Sequence, residues 1–125
     1  MDLISHKDFQ KVDIRVGTVV EAVVPPWSHW VMKLVVDFGD EIGKRTIFAG
    51  IMHFFKPAEL VGRQMPFVVN LEPKKIGPEG DDSQGMMMAA EGKLKKTIMV
   101  GDEQIEEQPM LFKLEGRVEN GSKVI

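Results

Sequence analysis

Five β-rich stretches, with the only helical interval between the third and the fourth, predict a mainly β fold. The element order is that of an OB-type, five-stranded Greek-key barrel with a short helix between strands 3 and 4 and a C-terminal extension. The β-rich stretches are separated by proline and glycine clusters, the punctuation of short strands and tight turns. A length of 125 residues and an apolar fraction of 43% suit one domain with one core. Residues 1–125 are therefore read as a single domain, with about 93–125 as the extension.

The elements follow in order. Ser5 is placed to cap a helical turn over His6 to Lys11, with Phe9 turned inward as a plug. From Val12 to Val24 β-branched residues dominate, and Ile14, Val16, Thr18 and Val20 alternate with Asp13, Arg15, Gly17 and Val19. Gly17 suggests a bulge or sharp coil there. Pro25-Pro26 ends the strand, and Trp27 to Trp30 form a loop. The second strand runs from Val31 to Phe38 with Lys33 on its polar face, and the third covers Arg45 to Ala49. Ile51 to Phe55 reads as a short helix, and Pro57 opens a second turn in the first helical position. Met65 to Leu71 forms the fourth strand, with Asn70 facing opposite to Phe67. An acidic loop, Gly77 to Asp82, then leads into Ser83-Gln84-Gly85 and a fifth strand from Met86 to Ala90. Lys96 to Val100 and Met110 to Leu114 are expected as an appended hairpin around an acidic loop.

The net charge of −3 is unevenly spread. Residues 1–70 hold eight Lys/Arg against eight Asp/Glu, residues 71–98 five against five, and residues 99–125 three against six. The acidic excess therefore sits in the C-terminal fifth, and basic pairs such as Lys44-Arg45 and Lys74-Lys75 stand in balanced surroundings. With no cysteine, disulfides, thiolate metal sites and thiol nucleophiles are excluded. His6, His29 and His53 lack metal-ligand spacing, so no metal or other cofactor is expected. No run approaches a membrane span and Met1 to Lys7 lacks signal-peptide character, which predicts a cytoplasmic protein without a membrane partner. No Ser-His-acid ordering, phosphate-cradling glycine loop or paired-carboxylate pattern stands out, and the chain reads as a non-enzyme.

The chemistry-bearing stretch is Ser83 to Ala90, with its upstream partner Asn70 to Lys75. Ser83 and Gln84 offer donors and acceptors, Gly85 permits close backbone approach, and Met86 offers a flat, polarizable surface. Met86 and Met88 should share one strand face and Met87 the other. Trp27 and Trp30 suit either a cover on the barrel end or a stacking platform for bases, the former being preferred.

The runs Lys11 to Gly17, Lys33 to Asp37, Gly50-Ile51, Glu59 to Gly62, Asn70-Leu71 with Pro73, Ser83 to Ala90 and Gly121 to Val124 occur in the order seen in one family. The chain resembles the tRNA-binding domain appended to the C terminus of methionyl-tRNA synthetases, which also occurs as free-standing dimeric tRNA-binding proteins. The resemblance implies tRNA held by shape and backbone contacts, a homodimer formed through the C-terminal region, and an aminoacyl-tRNA synthetase as a further partner. Position by position, it implies RNA-binding roles for Lys33, Asn70, Lys74, Ser83, Gln84 and Met86, with Lys75 and Arg15 behind them. Arg15 also has a structural reading, paired with Asp13 or Asp37.

Departures from the family pattern are Glu72 in place of a lysine, Trp30 in place of another, Asp81-Asp82 before Ser83, and a longer connection from about Lys93 to Pro109. Two alternatives remain open. Acidic charge, two tryptophans and nine methionines also suit a dimeric, export-related type of chaperone that binds unfolded peptides. The other is an assembly module that does not bind RNA.

Overall fold

The computed structural model describes residues 1–125. Its central sheet sets Lys44–Ala49, Met32–Asp37, Ile14–Val23, Gln64–Val68 and Met86–Met87 side by side in that order, all antiparallel, and curls into a nearly closed barrel. The strands are β1 (Ile14–Val23), β2 (Met32–Asp37), β3 (Lys44–Ala49), β4 (Gln64–Val68) and β7 (Met86–Met87). Two hairpins complete the strand set, β5 (Lys74–Ile76) with β6 (Asp81–Ser83), and β8 (Ala89–Val100) with β9 (Glu103–Leu111). Helix α1 is His6–Phe9 and α2 is Pro57–Leu60. The core is the barrel interior, where Val19, Met32, Leu34, Val36, Ile47, Leu60, Met65 and Phe67 are fully buried. Phe38 meets Phe67 edge-on at 5.4 Å between ring centroids.

The mainly β barrel agrees with the sequence, and several local expectations are corrected. Ser5 caps α1 by accepting from the Asp8 amide at 3.0 Å, yet Phe9 is exposed rather than a plug. One short helix cannot bury a ring unless it packs on the barrel, and α1 contributes no buried residue. Gly17 lies in regular register opposite Met65, and the bulge falls between Val19 and Glu21. Gly17 is glycine because a Cβ there would meet Val36 and Phe38 at 2.5–2.8 Å. The bulge also switches which residues face inward, from Val19 before it to Ala22 after it. Val16 is apolar for another reason: the C-terminal segment covers it. Backbone bonds from Val16 to Ser122, Gly121 to Val16 and Val124 to Ile14 lay that segment along β1.

Ile51 to Phe55 forms turns, not a helix, whereas Pro57 does open α2. The fifth barrel strand is only two residues long, because the chain leaves the barrel at Ala89 to build the β8–β9 hairpin. The acidic stretch expected as a loop is strand β9 itself. An exposed ribbon has no buried face to impose alternation, so charge is tolerated throughout it. As expected, Met87 packs against the core while Met86 is 51% exposed.

Candidate nucleic-acid interface

The Ser83-Gln84 corner completes the barrel where strand pairing stops. Strand β3 would otherwise present a free edge, and unpaired backbone groups there are costly. Ser83 Oγ accepts from the Phe48 amide at 3.0 Å, and Gln84 Oε1 accepts from the Thr46 amide at 3.0 Å. The Gln84 amide donates back to the Thr46 carbonyl at 2.8 Å. Two side chains thus imitate the ladder that a longer β7 would supply. Gly85 follows with φ +150, and a Cβ there would lie 2.8 Å from the Val68 carbonyl oxygen, so the tight passage from β3 to β4 requires glycine. Ser83 is buried and Gln84 exposed.

From this corner a continuous surface extends over the outside of the barrel. Lys33 on β2 is the cross-strand partner of Phe48 on β3. Phe48 is joined to Ser83 by the hydrogen bond just described, and Ser83 is the register partner of Lys74 on β5. Lys33, Ser83 and Lys74 therefore lie along one path. Neither lysine makes an ion pair. Lys75 is held by Asp82 at 2.7 Å, but both are exposed, so water weakens the pair and leaves the lysine available. Trp27 packs on Phe48 with ring centroids 6.1 Å apart and lies against Gly77 in the β5–β6 turn. It braces the hairpin that carries Lys74. Trp30 instead lies over Gly50, His53 and Phe54.

The remaining candidates sit elsewhere on the barrel. Met86 is the register partner of Val68, which in turn pairs with Ile14, so it continues the outer surface past Gln84. Asn70 clamps the end of β4 to the entry of β1: its Oδ1 accepts from the Asp13 amide at 2.8 Å and its Nδ2 donates to the Lys11 carbonyl at 2.6 Å. Arg15 is locked on Asp13 at 2.7 Å and donates to the Gly121 carbonyl at 3.0 Å, with its side chain 12% exposed. The hydrogen bond to Asp13 raises the guanidinium pKa above its ordinary value, against desolvation, with Glu41 adding a smaller attraction.

Arg45, half of a basic pair in the sequence, has a structural role. It donates to the carbonyls of Val69 and Gln84, tying β3, the end of β4 and the corner together. The available signal was parity: Arg45 shares a strand face with Ile47 and Ala49, so an inward-turned guanidinium needed partners.

Similarity to known proteins fits this geometry. A family model described as "Putative tRNA binding domain" matches residues 14–123. A methionine–tRNA ligase of Pyrococcus furiosus is 38% identical over 105 residues, covering 84% of this chain but 14% of the ligase. The chain thus spans a small part of the curated relatives it matches. Among solved structures, a MetRS-related protein from Pyrococcus horikoshii superposes with TM-score 0.81 at 35% identity, covering both chains fully. The chaperone CsaA from Bacillus anthracis superposes with TM-score 0.76 at 26% identity, over 99% of this chain and all of that one.

Proposed function

Because the chain belongs to the tRNA-binding domain family, we propose that it binds folded tRNA on the surface running from Lys33 through the Ser83-Gln84 corner to Lys74. The observation that carries this reading is the continuity of that path, two free ammonium groups on either side of a hydrogen-bonded, rigid corner. Lys33 and Lys74 neutralise backbone phosphates, and Lys75 joins them by exchanging Asp82 for phosphate. Met86 offers its exposed thioether to a base or sugar face. Ser83, Gln84, Asn70 and Arg15 act mainly as positioning residues, since their polar atoms already hold the barrel edge and the β1 entry.

In this reading the protein is a homodimeric cytoplasmic binding module rather than an enzyme, and it assists an aminoacyl-tRNA synthetase of the methionyl type, in cis or in trans. Tethering a weak RNA site to a catalytic partner raises effective concentration without any new catalytic group. No helix is long and apolar enough to cross a membrane. The test is a titration of total tRNA at two salt concentrations against a single-stranded control, repeated with K33A/K74A. Binding that prefers folded tRNA, weakens with salt and falls at least tenfold in the double variant supports the reading; unchanged affinity in the variant rejects this surface.

A second reading is favoured by the superposition on CsaA: capture of unfolded peptide. Trp30, 40% exposed beside Phe54, supplies an aromatic surface for it. Tryptophan fluorescence that shifts with unfolded peptide and not with tRNA selects this reading. Co-purification of a synthetase without RNA binding selects the assembly-module alternative.

A further inference from the structure

We propose that a cleft of about 300 Å³ between the α2–β4 turn and the C-terminal segment is a phosphate-binding site, separate from the surface that carries Lys33 and Lys74. Three cations line it, Arg63 from the turn and Lys113 and Arg117 from the segment that follows β9, and no carboxylate does. None of the three is within ion-pair distance of an acidic group. In a chain whose net charge is −3, three unpaired cations around one concavity are a local reversal of sign. Field lines focus in such a concavity and concentrate anions there.

The cleft is also held in shape. Gln64 behaves as a piece of backbone: its Nε2 donates to the Val118 carbonyl at 2.7 Å and its Oε1 accepts from the Val118 amide at 3.0 Å. Asn120 Oδ1 accepts from both Thr18 Oγ1 and Gln64 Nε2, which fastens the same segment to β1 and β4. On the other wall, the Gly62 amide and carbonyl side of the turn is pinned, by the bond from Gly62 to the Val19 carbonyl and by Arg117 donating to the Gly62 carbonyl at 3.2 Å. Arg63 and Lys113 make no side-chain hydrogen bond, so their donors remain for a ligand. Planar guanidinium forks from two sides and one ammonium match a tetrahedral phosphate better than a flat carboxylate. The volume lies at the lower end of small-ligand sites, large enough for a phosphate with an attached group.

The phosphate can belong to an RNA backbone, in which case the inference rests on the proposed function, or to a free phosphorylated small molecule. The purified full chain and R63Q/K113Q are compared; neither substituted side chain holds the fold, and a matched unfolding curve verifies this. Inorganic pyrophosphate, against chloride at equal ionic strength, is expected to raise the melting temperature of the wild type by a few degrees and leave R63Q/K113Q unmoved. K33Q should retain the response. If RNA is the source, the slope of log affinity for tRNA against log salt falls by about two in R63Q/K113Q. If the source is a free phosphorylated molecule, that slope is unchanged while the pyrophosphate response still separates the two proteins. Failure of both arms, with no pyrophosphate effect on the wild type and no change in slope, overturns the site. Absence of any tRNA binding by the wild type defeats the proposed function instead, and the pyrophosphate arm then decides the cleft alone.

Discussion

The Ser83 hydroxyl answers a buried amide of Phe48, so removing it leaves a donor without a partner inside the barrel wall. Ser83→Ala is expected to cost about 1–3 kcal/mol, read as a lower urea midpoint with an unchanged m-value. Gln84→Ala removes an equivalent bond at an exposed position, where water replaces the lost acceptor, so its cost should be under about 1.5 kcal/mol. An equal or larger loss for Gln84→Ala would contradict the edge-closing assignment. Arg15 gives a pH prediction with a definite sign. Its folded pKa is raised, so its contribution is fully present below the ordinary guanidinium pKa and is lost only as pH rises through the folded value. Unfolding free energy should therefore owe no slope to Arg15 across the neutral range, and Arg15→Gln should lower the whole curve without reshaping it there. At Arg15 the partner was legible too, since Asp13 stands two residues away on the same strand face, whereas at Ser83 and Gln84 only the residue types were. A serine before Gln-Gly advertises a hydroxyl, whereas the amide it serves lies 35 residues upstream and is fixed only when β3 and the corner meet.

At the scale of elements, the barrel strands and the β8–β9 hairpin differ in what holds them. Strands β1, β2 and β4 each contribute fully buried side chains, while no residue of β8 or β9 is buried. A two-stranded ribbon without a covered face is marginal in water. Amides from Lys93 to Glu107 are thus expected to exchange with solvent orders of magnitude faster than those of β1 and β2 at low protein concentration, as native-state hydrogen exchange can measure. The proposed homodimer adds a concentration dependence: protection that rises with protein concentration supports burial of this region between two copies, and flat exchange places the dimer contact elsewhere. The hairpin also explains why the extension was only half legible. Its ladder shifts register between Lys93 and Ile98, and charges occupy both faces, so neither alternation nor length marked it as one element. Alternation marked β2 and β4 because the interior imposes it, whereas in β1 it marked a strand but the wrong inward face: Ile14 and Val16 lie under the C-terminal segment, Gly17 and Val19 face the core, and the bulge then resets the parity.

For the whole molecule, tRNA binding by a chain of net charge −3 has to be local: attraction at a few ammonium groups must outweigh repulsion from nineteen carboxylates over the rest of the surface. Repulsion between exposed charges fades beyond about 8–10 Å in physiological salt, so the carboxylates that matter are those beside the proposed path, Glu72 and Asp82. Asp82 is already paired with Lys75, whereas Glu72 is exposed and makes no ion pair. Glu72 stands two residues before Lys74, at a position where the family pattern carries a lysine, and its reversal should be felt more than any other single acidic change. Glu72→Lys adds a cation next to Lys74 and removes an anion, so tRNA affinity should rise about tenfold at low salt and the salt slope should steepen by about one. The gain should vanish near molar salt, where the screening length shrinks to about 3 Å. Asp40→Lys in the β2–β3 turn, exposed and without an ion pair, changes net charge equally and serves as the control. If both substitutions strengthen binding alike, net charge governs association and the Lys33-to-Lys74 path is not the interface; a gain confined to Glu72→Lys ties binding to that path.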